Sequence, residues 1–359
     1  MKLLHAADLH LDAPFAALTA EQAARRRAEG RDLLRRLCQV ANGEQVDLVL
    51  LSGDLFDGER VYRETLHALR ESLASLTMPV FLAPGNHDPY NHHSPYAALD
   101  WPANVHLFHT EEVTSVEVPG LSCTVHGTAF LHATEHEDRW VGFRAPTDGR
   151  IHIGVAHGEV TSAGSAYHPI SLDTIAASGL DYLALGHVHT CSGIQHAGAT
   201  AWAYPGCPEG HGFDETGDKG CLLVEVETGR AEARFIPLGR RRYLVLEADV
   251  TGRSALDAAR EALSAATAED CVKLRLVGQS DLPCPLERLE RELGGLVYAL
   301  RLTDSTRPRV GLWDRAGEDT LTGAFLRQLR ERAAAGEETA LLAVRFGLAA
   351  LEGGEDPRP

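Results

Sequence analysis

Residues Val46–Leu51 read VDLVLL, an apolar run with hardly a break. Such a run suits a strand buried on both faces, so layers of structure must lie on either side of it. The neighbouring sequence supplies them. Lys2–Ala7 is a short apolar strand, and Thr19 with Gln22 three residues on forms a capping box that opens a helix to about Ala41. A helix from about Arg60 to Leu76 and a strand at Pro79–Ala83 follow. Further strands are expected at Val105–His109, Ser122–His126, Ile151–Ala156, Tyr182–Leu185 and Gly220–Val226. Helices alternating with buried strands, then a strand-rich stretch, predict an α/β sandwich with a mixed sheet.

A length of 359 residues fits two domains with a small appendage. A boundary is expected near Leu238-Gly239, just before the basic triplet Arg240–Arg242. A fresh βαβ pattern follows: strand Tyr243–Asp249, a helix from Ser254 to Ala266, strand Cys271–Val277, then another helix and strand within Leu286–Thr303. From Asp319 to Leu351 the pattern is helical, with Leu341, Val344, Leu348 and Leu351 spaced 3, 4, 3, and Gly353–Pro359 reads as a frayed end. The expected domains are 1–239, a smaller α+β domain at 240–318 and a C-terminal helical segment at 319–359.

With no run of 18 apolar residues and no signal-peptide pattern at the start, the chain reads as cytoplasmic, without a membrane partner. Seven scattered cysteines without a C-x-x-C pair agree with reduced thiols. The net charge of −17 is unevenly divided. Residues 240–359 hold 18 of the 34 basic and 20 of the 51 acidic residues, so 1–239 carries a net −15. All 18 histidines fall between His5 and His211. This balance argues against non-specific adhesion to nucleic acid through bulk charge, and leaves open a local basic groove or a metal site that binds phosphate.

The chemistry-bearing residues follow apolar strands. Asp8-Leu9-His10 follows the first, Gly53-Asp54-Leu55-Phe56-Asp57 the second and Gly85-Asn86-His87-Asp88 the third. Later come His157 in VAHGE and Gly186-His187-Val188-His189. Open α/β sheets build their sites at such strand ends. In D-x-H and H-x-H, residues i and i+2 of an extended segment point the same way and can reach one metal cluster. Asp, Asn and His without Cys suit Mn²⁺ first, Mg²⁺, Fe or Zn less decidedly, and exclude a thiolate-bound structural zinc. Two divalent ions ~3.5–4 Å apart would clamp a phosphate ester and generate hydroxide at neutral pH.

The ordered set D-x-H, G-D-x-x-D, G-N-H-D, a lone His after a strand and G-H-x-H resembles the calcineurin-like metallophosphoesterase superfamily over about residues 1–240. The resemblance implies that family's sandwich of mixed sheets flanked by helices. It also implies that Asp8, His10, Asp54 and His189 hold one metal, and bridging Asp54 with Asn86, His157 and His187 the other. His87 would contact the scissile phosphate and act as general acid towards the leaving oxygen. The stretches LLHAADLHLDAPF, LLSGDLFDG, FLAPGNHDPYN, DYLALGHVHT and YPGCPEG…GDKGCLLVEV are similar to SbcD-like DNA-repair exonucleases, more narrowly to the YhaO-type subgroup. That similarity implies a DNA nuclease with an SMC-like ATPase subunit as partner. It further implies a cap domain near the DNA, C-terminal helices for partner docking, and a homodimer.

Asp57 either orients His87 through a hydrogen bond, its candidate catalytic role, or caps the helix near Arg60. Some relatives in the nuclease branch carry His there. Asp88 reads as a brace for the Gly85–His87 turn. His92, His93, His126, His132, His136, His168 and His211 read as surface or packing residues, with substrate contact as the lesser alternative for His211, which lies in the PEGHGF loop facing the site. The stripe Arg25-Arg26-Arg27, Arg31, Arg35-Arg36 is either a DNA-tracking surface or a solvated helix face. Two other functions remain open on the same fold: a small-molecule phosphodiesterase or phosphatase, and a non-catalytic scaffold.

Overall fold

The computed structural model describes residues 1–15, 18–161, 164–308 and 310–351, with backbone alone at 310–312. The end of the C-terminal segment, including Gly353–Pro359, lies outside the described residues. The chain divides into two compact units, Met1–His211 with Asp218–Arg240, and Gly212–Gly217 with the chain from Arg241 onward.

The first unit runs β1 (Lys2–Ala6), α1 (Ala20–Gly43), β2 (Leu48–Ser52), α2 (Arg63–Ala74), β3 (Val80–Ala83), α3 (Pro95–Ala98), β4 (Val105–Leu107), β5 (Thr114–Val118), β6 (Cys123–Gly127) and β7 (Ile151–His157). It continues with β8 (Glu159–Val160), β9 (Pro169–Ile170), α4 (Leu172–Ala177), β10 (Tyr182–Gly186), β11 (Gln195–Ala197), β12 (Thr200–Ala203), β13 (Gly220–Glu227) and β14 (Arg230–Pro237). Two six-stranded mixed sheets result, in the orders β14-β13-β1-β2-β3-β4 and β11-β12-β10-β7-β6-β5. This is the α/β sandwich of mixed sheets flanked by helices.

Strand periodicity explains why VDLVLL is apolar throughout. Leu48 and Leu50, with Leu3 and Phe81, face Val125, Ile153, Val155 and Ala184 of the other sheet. Val49 and Leu51, with Leu4 and Leu82, face Leu33, Leu34 and Leu37 of α1 and Leu69 and Leu73 of α2. The capping box at Thr19 is present as expected. α2 starts at Arg63 behind Tyr62, later than its apolar pattern suggests. Edge strands β5 (TSVEV) and β14 (RAEARFIP) are additional to the expected strands, because a largely exposed edge lacks the apolar run that marks a covered strand.

The second unit contains β15 (Tyr243–Asp249), α5 (Ala255–Leu263), β16 (Cys271–Val277), α6 (Leu286–Leu293), β17 (Ala299–Asp304), α7 (Leu321–Ala334) and α8 (Glu338–Leu351). β15, β16 and β17 form a parallel sheet. Ala259, Leu263, Leu289 and Leu293 of its helices pack on Val272, Leu274, Leu276 and Leu302. In α8, Val344 and Leu348 are buried with Leu326 of α7 and with Ala316, whereas Leu351 is exposed. Among the described residues no helix is long and apolar enough to cross a membrane.

The His5 imidazole lies between the two sheets. His5 is fully buried, with the Tyr182 hydroxyl 2.8 Å from Nδ1 and Ser52 Oγ 3.2 Å from Nε2. The Ser52 hydroxyl also reaches the Ala184 carbonyl at 3.2 Å, so a chain of donors from Tyr182 through a neutral ring satisfies every group. Burial, only partly opposed by a backbone hydrogen bond to Leu185, lowers the His5 pKa to about 3. The unfolded ring titrates near the ordinary histidine value and takes up a proton first. Its stabilising contribution is therefore complete above about pH 6.5 and declines towards pH 3. Between pH 6.5 and 4.5, wild type should lose about 2–3 kcal/mol more stability than His5→Gln. Urea midpoints across that range would show parallel decline if the ring were not buried neutral.

Candidate metal centre

The parallel strands β1, β2 and β3 of one sheet and β7 and β10 of the other carry the site at their C-terminal ends. The loops after β1 and β2 are stitched together: the Asp8 N–H donates to the Gly53 carbonyl and the His10 N–H to the Asp54 carbonyl, each at 3.0 Å. Asp57 N–H closes back onto the Leu11 carbonyl at 3.1 Å. Asp8, His10, Asp54 and His187 all have positive φ, at 55°, 42°, 48° and 107°. Side chains rarely adopt that backbone region, at a cost of about 1–3 kcal/mol each, and such strain concentrates at functional sites.

Seven of the predicted residues converge with His87. Ligand atoms of Asp8, His10 and His189, of Asp8, Asp54 and His157, and of His10, Asp54 and His87 form groups lying within 4.8 Å. Asn86 Oδ1 joins them, 3.0 Å from His157 Nε2 and 3.3 Å from His187 Nδ1. His10 Nε2 lies 3.1 Å from His189 Nε2 and 3.7 Å from Asp54 Oδ2. His157 Nε2 is 3.3 Å from Asp54 Oδ2. Asp8 and Asp54 are buried at 0% and 1% exposure, whereas His87 is exposed at the mouth.

Tautomers identify what such a cluster can hold. His157 Nδ1–H donates to the Ser52 carbonyl at 2.9 Å, and His10 Nδ1–H to Asp57 at 3.1 Å. In the neutral rings both Nε2 atoms then carry lone pairs, directed at carboxylate and amide oxygens or at another imidazole. Electron pairs facing electron pairs in a buried cavity call for a cation between them. The pKa directions agree. Burial opposes charge on His157, but Asp54 and Asp8 overcome it and raise the pKa to about 9. His10 is also raised, because Asp57, Asp54 and Asp8 outweigh its burial. Burial pushes the Asp8 carboxyl up, with the Asp54 charge adding to it, against the pull of His157. Burial would raise Asp54 as well, but His157, His10 and the His87 N–H hold it below the usual carboxylate range. His187 falls to about 4, from burial first and the charge of His157 second. The donor set thus fits hard-to-borderline divalent ions, and sulfur takes no part in the groups around Asp8 and Asp54.

Asp57 differs from both sequence-based alternatives. Its carboxylate accepts from His10 Nδ1, not from the His87 ring, and α2 begins six residues later behind Tyr62. It orients a candidate ligand from behind. Asp88 is fully buried and accepts from the backbone N–H groups of Gly85 and Phe56 at 2.8 and 2.9 Å, and from the Tyr96 hydroxyl. Two contributors lie in the quoted stretches without having been given a role: the Ser52 carbonyl, and Lys219, whose ammonium donates to the His189 carbonyl at 2.9 Å. A backbone acceptor and a partner 30 residues away leave no local spacing to read.

A metallophosphoesterase class is what this sandwich and donor set fit. The family model for calcineurin-like phosphoesterases matches residues 1–191, and the chain belongs to that family, which makes it a metallophosphoesterase. It is 34% identical over 248 residues to the uncharacterized metallophosphoesterase YhaO of Bacillus subtilis, covering 66% of this chain and 60% of YhaO. It is 25% identical to the DNA double-strand break repair protein Mre11 of Methanopyrus kandleri, over 68% of this chain and 58% of Mre11. To the SbcD component of the nuclease SbcCD of Bacillus subtilis it is 27% identical, over 64% of this chain and 67% of SbcD. The chain spans about three fifths of the length of the YhaO and Mre11 relatives.

Close packing leaves no room for a side chain at Gly85. A Cβ there would stand 2.2 Å from Asp54 Oδ1 and 2.6 Å from the Asp54 backbone nitrogen. Gly85→Ala should therefore displace Asp54 and weaken Mn²⁺ binding by at least about tenfold, about 1.4 kcal/mol, with the far-ultraviolet dichroism retained. Calorimetric titration with Mn²⁺ measures this, and an unchanged affinity would mean that the loop absorbs the methyl group.

Proposed function

We propose that the chain is a DNA nuclease that hydrolyses phosphodiester bonds with two divalent ions, Mn²⁺ foremost. The observation that carries the hydrolytic part is the convergence of Asp8, His10, Asp54, Asn86, His157, His187 and His189 around two buried carboxylates, with His87 exposed beside them. The similarity to Mre11 and to SbcD supports DNA as the substrate. When bound, the ions supply a water-derived nucleophile and neutralise charge on the phosphoryl oxygens.

The chain's own residues do the rest. Asp8, His10, Asp54 and His189 would hold one ion, and Asp54, Asn86, His157 and His187 the other. The His87 backbone N–H donates to Asp54 Oδ1 at 2.9 Å, which fixes the turn carrying the imidazole. Its ring stands edge-on to His10, centroids 4.8 Å apart, and protonates the departing ester oxygen. Asp57 keeps His10 in the tautomer whose Nε2 faces the carboxylates.

Residues 240–318 are assigned as a cap that governs access of DNA. The segment 319–359 is assigned to docking an SMC-like ATPase subunit, in a complex containing two copies of this chain. A cytoplasmic location follows from that assignment.

Asp54→Asn tests the hydrolytic core. It should reduce Mn²⁺-dependent cleavage of a chromogenic phosphodiester and of an end-labelled linear duplex by at least about 10³-fold, the scale expected when a group assembling the reacting centre is removed. Intact activity in the variant would remove the bridging role. A wild type that cleaves the small diester but not the duplex, even with its ATPase supplied, would replace DNA by a small-molecule substrate.

A further inference from the structure

Part of the arginine stripe of α1 is committed inside the first unit. Arg26 is 2% exposed, pairs with Glu209 and with Glu29, and donates through Nη2 to the Gly210 carbonyl at 2.8 Å. Arg36 donates to the Leu238 carbonyl and approaches Glu209 at 3.5 Å. Arg25 pairs with Glu29 and Arg35 with Asp32, while Arg31 donates to Thr65 Oγ1 at 3.3 Å. Glu209 also accepts from the Arg240 backbone N–H at 3.3 Å. Arg26 and Arg36 therefore hold the segment at residues 209–210, through the Glu209 carboxylate and the Gly210 carbonyl.

The next residue is His211. Its ring stacks on Phe15, centroids 5.5 Å apart with 29° between planes, and the Arg26 guanidinium lies 5.0 Å from the same Phe15 ring. His211 also meets the His10 ring edge-on at 5.7 Å. His10 is thus surrounded by His87, His189 and His211. Two of these three, His87 and His189, are already assigned roles at the centre. A buried arginine–carboxylate cluster is costly to assemble and more costly to break on one side, so a loop tied to it has a defined position. Groups held that way bind a ligand without losing much conformational entropy.

We propose that His211 is a second substrate-contacting imidazole of the centre, hydrogen-bonding an oxygen of the bound phosphodiester next to His10. Arg26 is its positioning residue, acting through Gly210 and Phe15. The inference rests on the phosphodiesterase reading above and adds a contact to it. The ions would neutralise charge at the floor of the centre, and N–H donors at the mouth can hold the ester oxygens that face outward. His87 supplies one and His211 a second.

The test uses the full chain loaded with Mn²⁺, bis(p-nitrophenyl) phosphate as substrate and inorganic phosphate as binding probe. His211→Ala should keep two Mn²⁺ per chain and its thermal midpoint. Its KM for the diester and its dissociation constant for phosphate should each rise about tenfold, as for one lost hydrogen bond to a charged group, with a smaller fall in kcat. His211→Gln, which retains an N–H donor, should recover most of the affinity. Arg26→Met should shift KM in the same direction while leaving the metal content unchanged. Unaltered phosphate affinity in folded, metal-loaded His211→Ala would overturn the proposal, as would a loss of Mn²⁺ in place of a loss of phosphate affinity. Should wild type fail to cleave the diester, the phosphodiesterase reading fails separately. The phosphate titration would still decide whether His211 touches a phosphoryl group.

Discussion

Asp8 and Asp54 stand almost without solvent at the ends of two adjacent parallel strands, and the surrounding structure is arranged around holding those two charges together. Desolvating one carboxylate is costly, and placing a second beside it adds repulsion. The fold meets the cost with backbone donors: the His187 N–H lies 3.0 and 3.2 Å from the two Asp8 oxygens, and the His87 N–H reaches Asp54. The imidazoles of His10, His157, His187 and His189 close the remaining sides. The result is a cavity whose electrostatics favour cations.

That arrangement needs backbone conformations that isolated residues avoid. Asp8, His10, Asp54 and His187 sit left-handed, and the loop glycines bring main chains closer than any side chain would permit. At Gly186, a Cβ would lie 1.8 Å from the Ser52 carbonyl, the same carbonyl that fixes the His157 tautomer. Local strain of this kind persists only when surrounding packing over-determines it. Here the determinants are the two layers on either side of β2, and the His5–Ser52–Tyr182 chain that ties the sheets just beneath the site.

Support also comes from farther away. The buried Arg26 of α1 reaches past its own helix to Glu209 and Gly210, so a helix remote in sequence shapes the loop beside His10. Lys219 acts similarly on the His189 carbonyl. Two charges of the stripe, Arg26 and Arg36, are thus spent on the internal geometry of the loops, whereas Arg25 and Arg35 lie on a solvated face and pair with Glu29 and Asp32 of their own helix. Arg27 differs: its guanidinium lies 5.5 Å from the exposed ring of Tyr62.

Much of this was legible in the primary structure. Apolar runs ending in Asp, Asn or His marked the strands and the loops that carry the site, because a doubly covered strand must be apolar and a metal ligand must be polar at a strand end. Spacing pointed to Asp8 with His10 and to His187 with His189, but not through the extended segment it assumed: Asp8, His10 and His187 are left-handed, and the pairing of the loops after β1 and β2 brings the side chains in. Edge strands β5 and β14 left no such mark because their exposure permits mixed composition. Asp57 could be placed near the site but not given its partner, because a short carboxylate can reach either neighbouring imidazole and only the loop pairing of Leu11 with Phe56 brings it behind His10. Sequence by itself determined which residues are available as ligands and that they lie at strand ends. Tertiary structure decided their tautomers, their protonation, and the commitment of Arg26 to the interior, because each depends on groups brought within hydrogen-bond distance only by folding.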